Sequence, residues 1–203
     1  SDNTWATTID FTGIADTGSY LLNFSHGPTG AKVQISKIVK IDKTIPTLVI
    51  TSPNASPNPV VNISNQGAVP ISGTCSENGE SVTISGAITK VISCSSGSWS
   101  TNMDFSTLAN GNVTIYVDHK DLAQNSAIQE TRTYIKDTSL PTVSFTSPAN
   151  NSYINGTNQA AFTVSGTCSE DGRNVSVTGA DVSPVTTVCS TSSNPQWQIS
   201  NLV

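Results

Sequence analysis

The nine residues SGTCSENGE at Ser72–Glu80 return as SGTCSEDGR at Ser165–Arg173, an offset of 93. Other echoes keep the same order around them. TLVITSP at Thr47–Pro53 returns as TVSFTSP at Thr142–Pro148, an offset of 95. TWATTIDF at Thr4–Phe11 returns as SWSTNMDF at Ser98–Phe105, an offset of 94. A period near 94 is too long for a helical solenoid unit, which takes roughly 20 to 50 residues. It matches an independently folding domain of roughly 50 to 250 residues. The chain of 203 residues is therefore a tandem array worth about two repeats.

The complete repeat reads as short β-branched runs separated by turn residues, the pattern of a sandwich. Thr47–Thr51 begins it and a Pro- and Asn-rich crossing, Ser52–Pro59, follows. Ala68–Cys75 alternates apolar and small residues as a half-buried strand does. Glu77–Gly79 is a turn, Ser81–Gly86 the returning strand, and Thr89–Cys94 and Gly97–Phe105 come next. Ala109–Gly111 turns into Asn112–His119, and after a loop containing DLAQNS the last strand is Ile128–Lys136. Seven or eight strands are predicted, and no stretch carries a capped helical period. An all-β fold of immunoglobulin-like antiparallel sandwiches follows. The repeats are joined by the short proline-containing linkers IDKTIPTLVITSP from Ile41 and IKDTSLPTVSFTSP from Ile135. Pro46 and Pro141 fix φ there, so a stiff joint and an extended rod are expected.

The organisation predicted is 1–45 as the latter part of a repeat, 46–140 as a complete repeat, and 141–203 as the earlier part of a further one. Three readings of that phase stand: a window on a longer array, half-repeats that complete one another between molecules, or a protomer closing on itself. An open half-sandwich leaves strand edges and apolar faces that something must cover. Complementation from copy to copy would build a head-to-tail filament.

Charged residues make up 11% of the chain and the net charge is −5, without the basic footprint of a nucleic-acid binder. The hydrophobic fraction of 35% is low, but Ser, Thr, Asn and Gly fill the remainder, so a folded, polar-surfaced chain is expected over disorder. No apolar run approaches the roughly 18 residues of a membrane span. The opening SDNTWATTID has neither the basic start nor the apolar core of a signal peptide. An exported protein is then expected to have its targeting segment removed or outside these residues.

Cys75 and Cys94 fall in one repeat and Cys168 and Cys189 in the next. There is no C-x-x-C and no nearby His, which argues against zinc. Free buried thiols are one alternative. The preferred reading is one disulfide inside each repeat, Cys75–Cys94 and Cys168–Cys189, each closing a loop of about 20 residues and adding about 3 kcal/mol. Such bridges belong to oxidising surroundings, which points to an extracellular protein. Trp99 and Trp197 each follow the second cysteine of their repeat. They are read as core aromatics against the bridge, with a sugar-stacking platform as the functional alternative.

SGTCSENGESVTISG, the second cysteine ahead of GSWS, YVDHKDLAQNSA and KDTSLPTVSFTSP together resemble bacterial Ig-like (Big) repeats. The resemblance covers essentially the whole chain. It implies a long secreted or outer-surface protein of bacteria, an adhesin or fibre, in which such repeats commonly form the stalk that carries a binding tip. The chain departs from the D-x-A-G-N pattern of many such repeats, with Gln124 in place of Gly. The first repeat has FSHGPTGAK at that place and lacks the aspartates. In some Ig-like adhesin repeats equivalent aspartates hold Ca²⁺ at the domain joint. That makes Asp118, Asp121, Asn125 and Asp137 the candidate calcium ligands, against the plainer reading of solvated loop residues and turn-formers. No other cofactor is expected.

No catalytic residues are predicted. His26 and His119 hold equivalent repeat positions without a conspicuous nucleophile nearby, and read as structural or turn-lining. No G-x-S-x-G elbow, P-loop or dinucleotide fingerprint occurs. Glu77 and Glu170 stand in turns, and the N-x-S/T triplets at Asn54, Asn62, Asn112, Asn155 and Asn174 are those expected by chance in so polar a sequence. The leading expectation is a structural surface protein, a stalk, fibre or filament whose partners are copies of itself or neighbouring repeats. The alternative is an adhesin segment binding carbohydrate or a cell-surface protein. It requires aromatics clustered at loop tips, whereas Tyr20, Tyr116 and Tyr153 fall at strand or linker positions. A module attached to a secreted hydrolase is a third reading.

Overall fold

The computed structural model describes residues 4–16, 18–179, 182–190 and 196–200. It is all-β, built from antiparallel sheets. Its contacts divide the chain into two compact units, residues 1–138 and 139–203.

The first unit opens with a hairpin of β1 (Gly18–His26) and β2 (Val33–Ile41), paired from Gly18↔Ile41 to His26↔Val33. Its turn uses Gly27 at φ +130°, where a side chain would meet the Ala31 carbonyl. Side chains alternate along β1, so Tyr20, Leu22 and Phe24 are half-buried on one face while Leu21, Asn23 and Ser25 are exposed on the other.

The rest of that unit is a two-sheet sandwich. It is built from β3 (Leu48–Ser52), β4 (Val60–Val61), β5 (Val69–Cys75), β6 (Ser81–Gly86), β7 (Lys90–Ser93), β8 (Ser98–Met103), β9 (Gly111–His119) and β10 (Glu130–Lys136). One sheet has the order β3-β5-β8 and the other β4-β10-β9-β6-β7. Every pairing is antiparallel except β4 with β10, which is parallel. The period of two places Val69, Ile71, Gly73 and Cys75 of β5, and Val113, Ile115, Val117 and His119 of β9, on the inner faces. These inner faces enclose a core that includes Val82, Ile84, Trp99, Met103, Phe105 and Tyr134. Phe105 and Tyr134 meet edge to face, with ring centroids 5.2 Å apart and planes at 84°.

The second unit carries β11 (Val164–Thr167), β12 (Asn174–Gly179), β13 (Val182–Val188) and β14 (Gln196–Ile199). β11 pairs with β14, and β12 with β13. Val164, Trp197 and Ile199 form a small buried cluster, with Phe162, Val175, Val177 and Val185 packed partly against it.

Three local differences from the sequence pattern have physical reasons. The Pro-rich crossing ends in β4, whose two residues are too few to show a period, although Val61 is buried and pairs with Lys136. Thr142–Pro148 echoes the segment that forms β3, yet makes only isolated bridges, Val143↔Cys168 and Ser147↔Ser165. Leu48 and Ile50 of β3 are buried beneath a second sheet, whereas their counterparts Val143 and Phe145 are exposed, so burial does not reinforce the ladder there. Thr4–Phe11 echoes the segment of β8 but forms no strand, and Trp5 is 67% exposed where Trp99 is 3%.

Candidate functional site

The shared nine-residue segment builds one corner twice. Cys75 and Cys94 are joined with Cα atoms 6.0 Å apart, and Cys168 and Cys189 with Cα atoms 6.1 Å apart. Around each bridge the same donors meet the same acceptors. Ser76 Oγ accepts the Thr47 N–H at 2.9 Å, and Ser169 Oγ accepts the Thr142 N–H at 2.8 Å. The Gly79 N–H donates to the Cys94 carbonyl and the Cys94 N–H to the Glu80 carbonyl, each at 2.9 Å. Their counterparts run from Gly172 to Cys189 at 3.1 Å and from Cys189 to Arg173 at 2.8 Å. Gly79 and Gly172 turn the chain with φ of +91° and +73°, a region open to glycine at little steric cost.

The glycine inside each SGTC is required for a different reason. A Cβ on Gly73 would run into the Val49 carbonyl and the Trp99 indole, and one on Gly166 into the Ser144 carbonyl and the Trp197 indole. Each indole therefore lies against a glycine that stands opposite it in register (Gly73↔Trp99, Gly166↔Trp197). Trp99 Nε1 donates to the Thr74 carbonyl at 3.3 Å and Trp197 Nε1 to the Ser144 carbonyl at 3.1 Å. Both indoles are buried, so neither offers a face for sugar stacking.

His119 is buried at the same corner. Its Nδ1 lies 2.9 Å from the Ser81 carbonyl and its Nε2 accepts the Glu77 N–H at 3.3 Å. Those two bonds require a neutral ring protonated at Nδ1. With both nitrogens held by backbone, His119 is a tie between β9 and the corner. His26, its counterpart in β1, is exposed.

The four residues considered for calcium are distributed over one loop and two strand ends. Asp121 is buried, its Oδ1 accepting the Asn125 N–H and its Oδ2 the Asn125 Nδ2, both at 2.8 Å. Asn125 Nδ2 also donates to the Asp42 carbonyl at 3.0 Å, tying this loop to the stretch that follows β2. Asp118 Oδ1 accepts Gln129 Nε2 at 2.8 Å, and the Asp137 N–H donates to the Val61 carbonyl. Asp121 and Asn125 are brought together, while Asp118 and Asp137 are engaged elsewhere. Among the described residues no group of three His, Cys, Asp or Glu side chains converges on a common point.

A feature that sequence reasoning missed is a lysine-filled loop, again built twice. Buried Lys136 donates its Nζ to the carbonyls of Phe105 at 2.7 Å, Ser106 at 3.3 Å and Leu108. Lys43 donates likewise to Phe11, Thr12 and Ile14 at 3.1, 3.1 and 2.9 Å. Each loop begins with an Asp-Phe pair. Ser106 Oγ and the Ser106 N–H donate to Asp104, and Thr12 does the same for Asp10. Those hydrogen bonds hold both carboxyls below the usual aspartate range. The paired DF echo at Asp10 and Asp104 was the available signal.

Burial drives the Tyr134 hydroxyl up to about 12, partly offset by nearby Arg132. Among the described residues the hydroxyl has no hydrogen-bond partner, and neither does Arg132 Nε, although Arg132 Nη2 donates to the Ile50 carbonyl at 3.2 Å. No helix among the described residues is long and apolar enough to cross a membrane.

No protein-family profile matches the chain, and no curated protein does. Among solved structures it is similar to one described as the crystal structure of a tetra-tandem repeat in the extending region of a large adhesion protein. The two are 20% identical, with a TM-score of 0.40 over 97% of this chain and 51% of the other. The chain thus spans about half the length of that crystallised chain.

Proposed function

We propose that the chain is a stretch of tandem immunoglobulin-like modules, of the bacterial Ig-like (Big) kind, in an extracellular or outer-surface protein. There the modules form a stalk, fibre or filament. The observation that carries the reading is the twofold construction of one bridged corner, with matching cysteines, serine acceptors, turn glycines and indole-covered glycines. An immunoglobulin-like topology is supported by the β3-β5-β8 sheet facing β4-β10-β9-β6-β7, with β4 parallel to β10. Bridges in both units favour an oxidising, extracellular setting. The role is mechanical and not catalytic. Groups that might do chemistry are occupied by structure: His119 by two backbone partners and Asp121 by Asn125.

Immunogold labelling of intact source cells with antibodies against residues 46–138 tests the proposal. Label spread along surface projections is expected. Label confined to the cytoplasm of permeabilised cells would overturn it.

A further inference from the structure

A second loop is built twice, and its two versions differ where it matters chemically. Asn62 Oδ1 accepts the Ser64 and Asn65 N–H groups at 2.9 and 3.3 Å, and Asn65 Oδ1 accepts the Asn62 N–H at 2.8 Å. Asn155 Oδ1 accepts the Thr157 and Asn158 N–H groups at 2.9 and 3.2 Å, and Asn158 Oδ1 accepts the Asn155 N–H at 2.8 Å. The Gln66 and Gln159 N–H groups close the two loops onto the Asn62 and Asn155 carbonyls, each at 3.0 Å. The residue after Asn62 is Ile63, whereas the residue after Asn155 is Gly156. Without a Cβ, glycine leaves its own nitrogen the freest approach to the side-chain amide before it.

Two other Asn-Gly pairs occur, Asn78–Gly79 and Asn110–Gly111, and the fold ties both down. The Gly79 N–H donates to the Cys94 carbonyl at 2.9 Å, and Asn78 Oδ1 accepts the Gly97 N–H at 2.8 Å. Gly111 stands in β9 opposite Lys136, and Asn110 Oδ1 accepts the Thr138 N–H at 3.1 Å and the Thr138 hydroxyl at 2.9 Å. Asn155 and Gly156 are exposed and lie in no strand. Among the described residues neither the Gly156 N–H nor Asn155 Nδ2 has a hydrogen-bond partner. This freedom belongs to the loop itself. Ile63, its counterpart inside the complete sandwich, is 57% exposed and its N–H is likewise without a partner among the described residues.

We infer that Asn155 is a site of spontaneous deamidation, reached through a cyclic imide formed with Gly156. The Gly156 nitrogen bonds to Asn155 Cγ and gives its proton to water. The Cγ–Nδ2 bond breaks, and Nδ2 takes up a proton and leaves as ammonia. Water then opens the ring at either carbonyl, giving aspartate or isoaspartate, and no oxidant or reductant takes part. The Thr157 and Asn158 N–H groups face Oδ1, where negative charge gathers as the nitrogen adds, and so assist the step. Either product adds one negative charge to the loop. Aspartate keeps the acceptor on which the loop is built. Isoaspartate carries the main chain through the former side chain and removes it.

The test is to age the full chain in mildly alkaline buffer and to follow conversion at each asparagine by mass spectrometry of its proteolytic peptides. Asn155 is expected to convert first. Asn78 and Asn110 should be at least about tenfold slower, since each must first break hydrogen bonds that fix its glycine or open a strand end. Equal rates in the folded chain, or a faster Asn78 or Asn110, would overturn the assignment. In denaturant after reduction the three rates should converge, and a difference that persisted there would overturn the fold as its cause. Gly156→Ile copies the residue that the Asn62 loop already holds, and it should stop the reaction. Continued conversion in that variant would overturn the imide route. Ile63→Gly is expected to make Asn62 react at a rate comparable with Asn155. An Asn62 that stays intact in that variant would overturn the part given to the loop.

Discussion

The corner at Cys75–Cys94 and the corner at Cys168–Cys189 share their bridge, turn and glycine-on-indole contact, yet the strands leaving them are covered to different degrees. Val82 and Ile84 of β6 are 0% exposed, whereas Val175 and Val177 of β12 are only half-buried. The corner is a local device: its hydrogen bonds run among residues of the shared segment, the bridge and the start of the repeat. Core depth is not local. In the sandwich it comes from β9 and β10, which follow the corner in sequence and close the second sheet over it. Sequence identity between repeats therefore specifies a shared corner without specifying equal stability.

The sharpest way to break the comparison is to truncate equivalent core positions. Ile84→Ala is expected to cost about 4 kcal/mol, because a fully enclosed site collapses poorly. Val177→Ala should cost about 1 kcal/mol, because much of its surface is already wet. Hydrogen exchange of the β5 and β11 amides under increasing urea reads the two units separately. Equal costs would contradict the difference in cover.

Removing the bridges should leave the contrast as it is. Replacing Cys75 and Cys94 together by Ala should cost about 3 kcal/mol, and replacing Cys168 and Cys189 nearly the same, since the sequence separations are 19 and 21. The same exchange experiment measures both. The lysine-filled loops give a smaller and again unequal pair. Lys136→Met should cost about 2 kcal/mol by stranding buried carbonyls. Lys43→Met, at an exposed site, should fall within about 0.5 kcal/mol.

Alkaline unfolding isolates the sandwich further. Tyr134 is held near 12 in the folded state against an ordinary value of 10.0. Its folded value is raised, so its contribution is fully present below pH 10 and is lost as pH climbs toward 12. Urea midpoints should fall across that window, and Tyr134→Phe should flatten the fall while changing little at pH 7, since the hydroxyl has no partner among the described residues to lose. The smallest effect concerns calcium. Asp121 already accepts two bonds from Asn125, so Tm is expected to be the same in calcium and in chelator. A clear rise with calcium would assign Asp118, Asp121, Asn125 and Asp137 a role their separate partners do not suggest.

Much of the sandwich was legible because its signals are local. Alternation in Ala68–Cys75 and Asn112–His119, with glycine-bearing turns between runs, marks strands to within a residue or two of β5 and β9. Ser81–Gly86 coincides with β6. What stayed illegible depends on partners distant in sequence. β4 is two residues fastened by β10, and no period of two can announce it. The echo at Thr142–Pro148 promised a strand like β3, but the burial that stabilises β3 is missing from the letters. The lysine loops were hidden because the lysine arrives from a different place in each repeat. Lys136 lies within β10, whereas Lys43 lies two residues beyond β2.

The central claim, that these are mechanical modules pinned by internal bridges, is tested most directly by pulling single chains between their ends, before and after reduction. The account predicts a discrete unfolding event for the sandwich whose released length grows on reduction. The gain should be about 6 nm, the extended length of the 19-residue separation locked by Cys75–Cys94 less the 6.0 Å its bridged Cα atoms already span. Extension without a discrete event, or with a length indifferent to reduction, would contradict it.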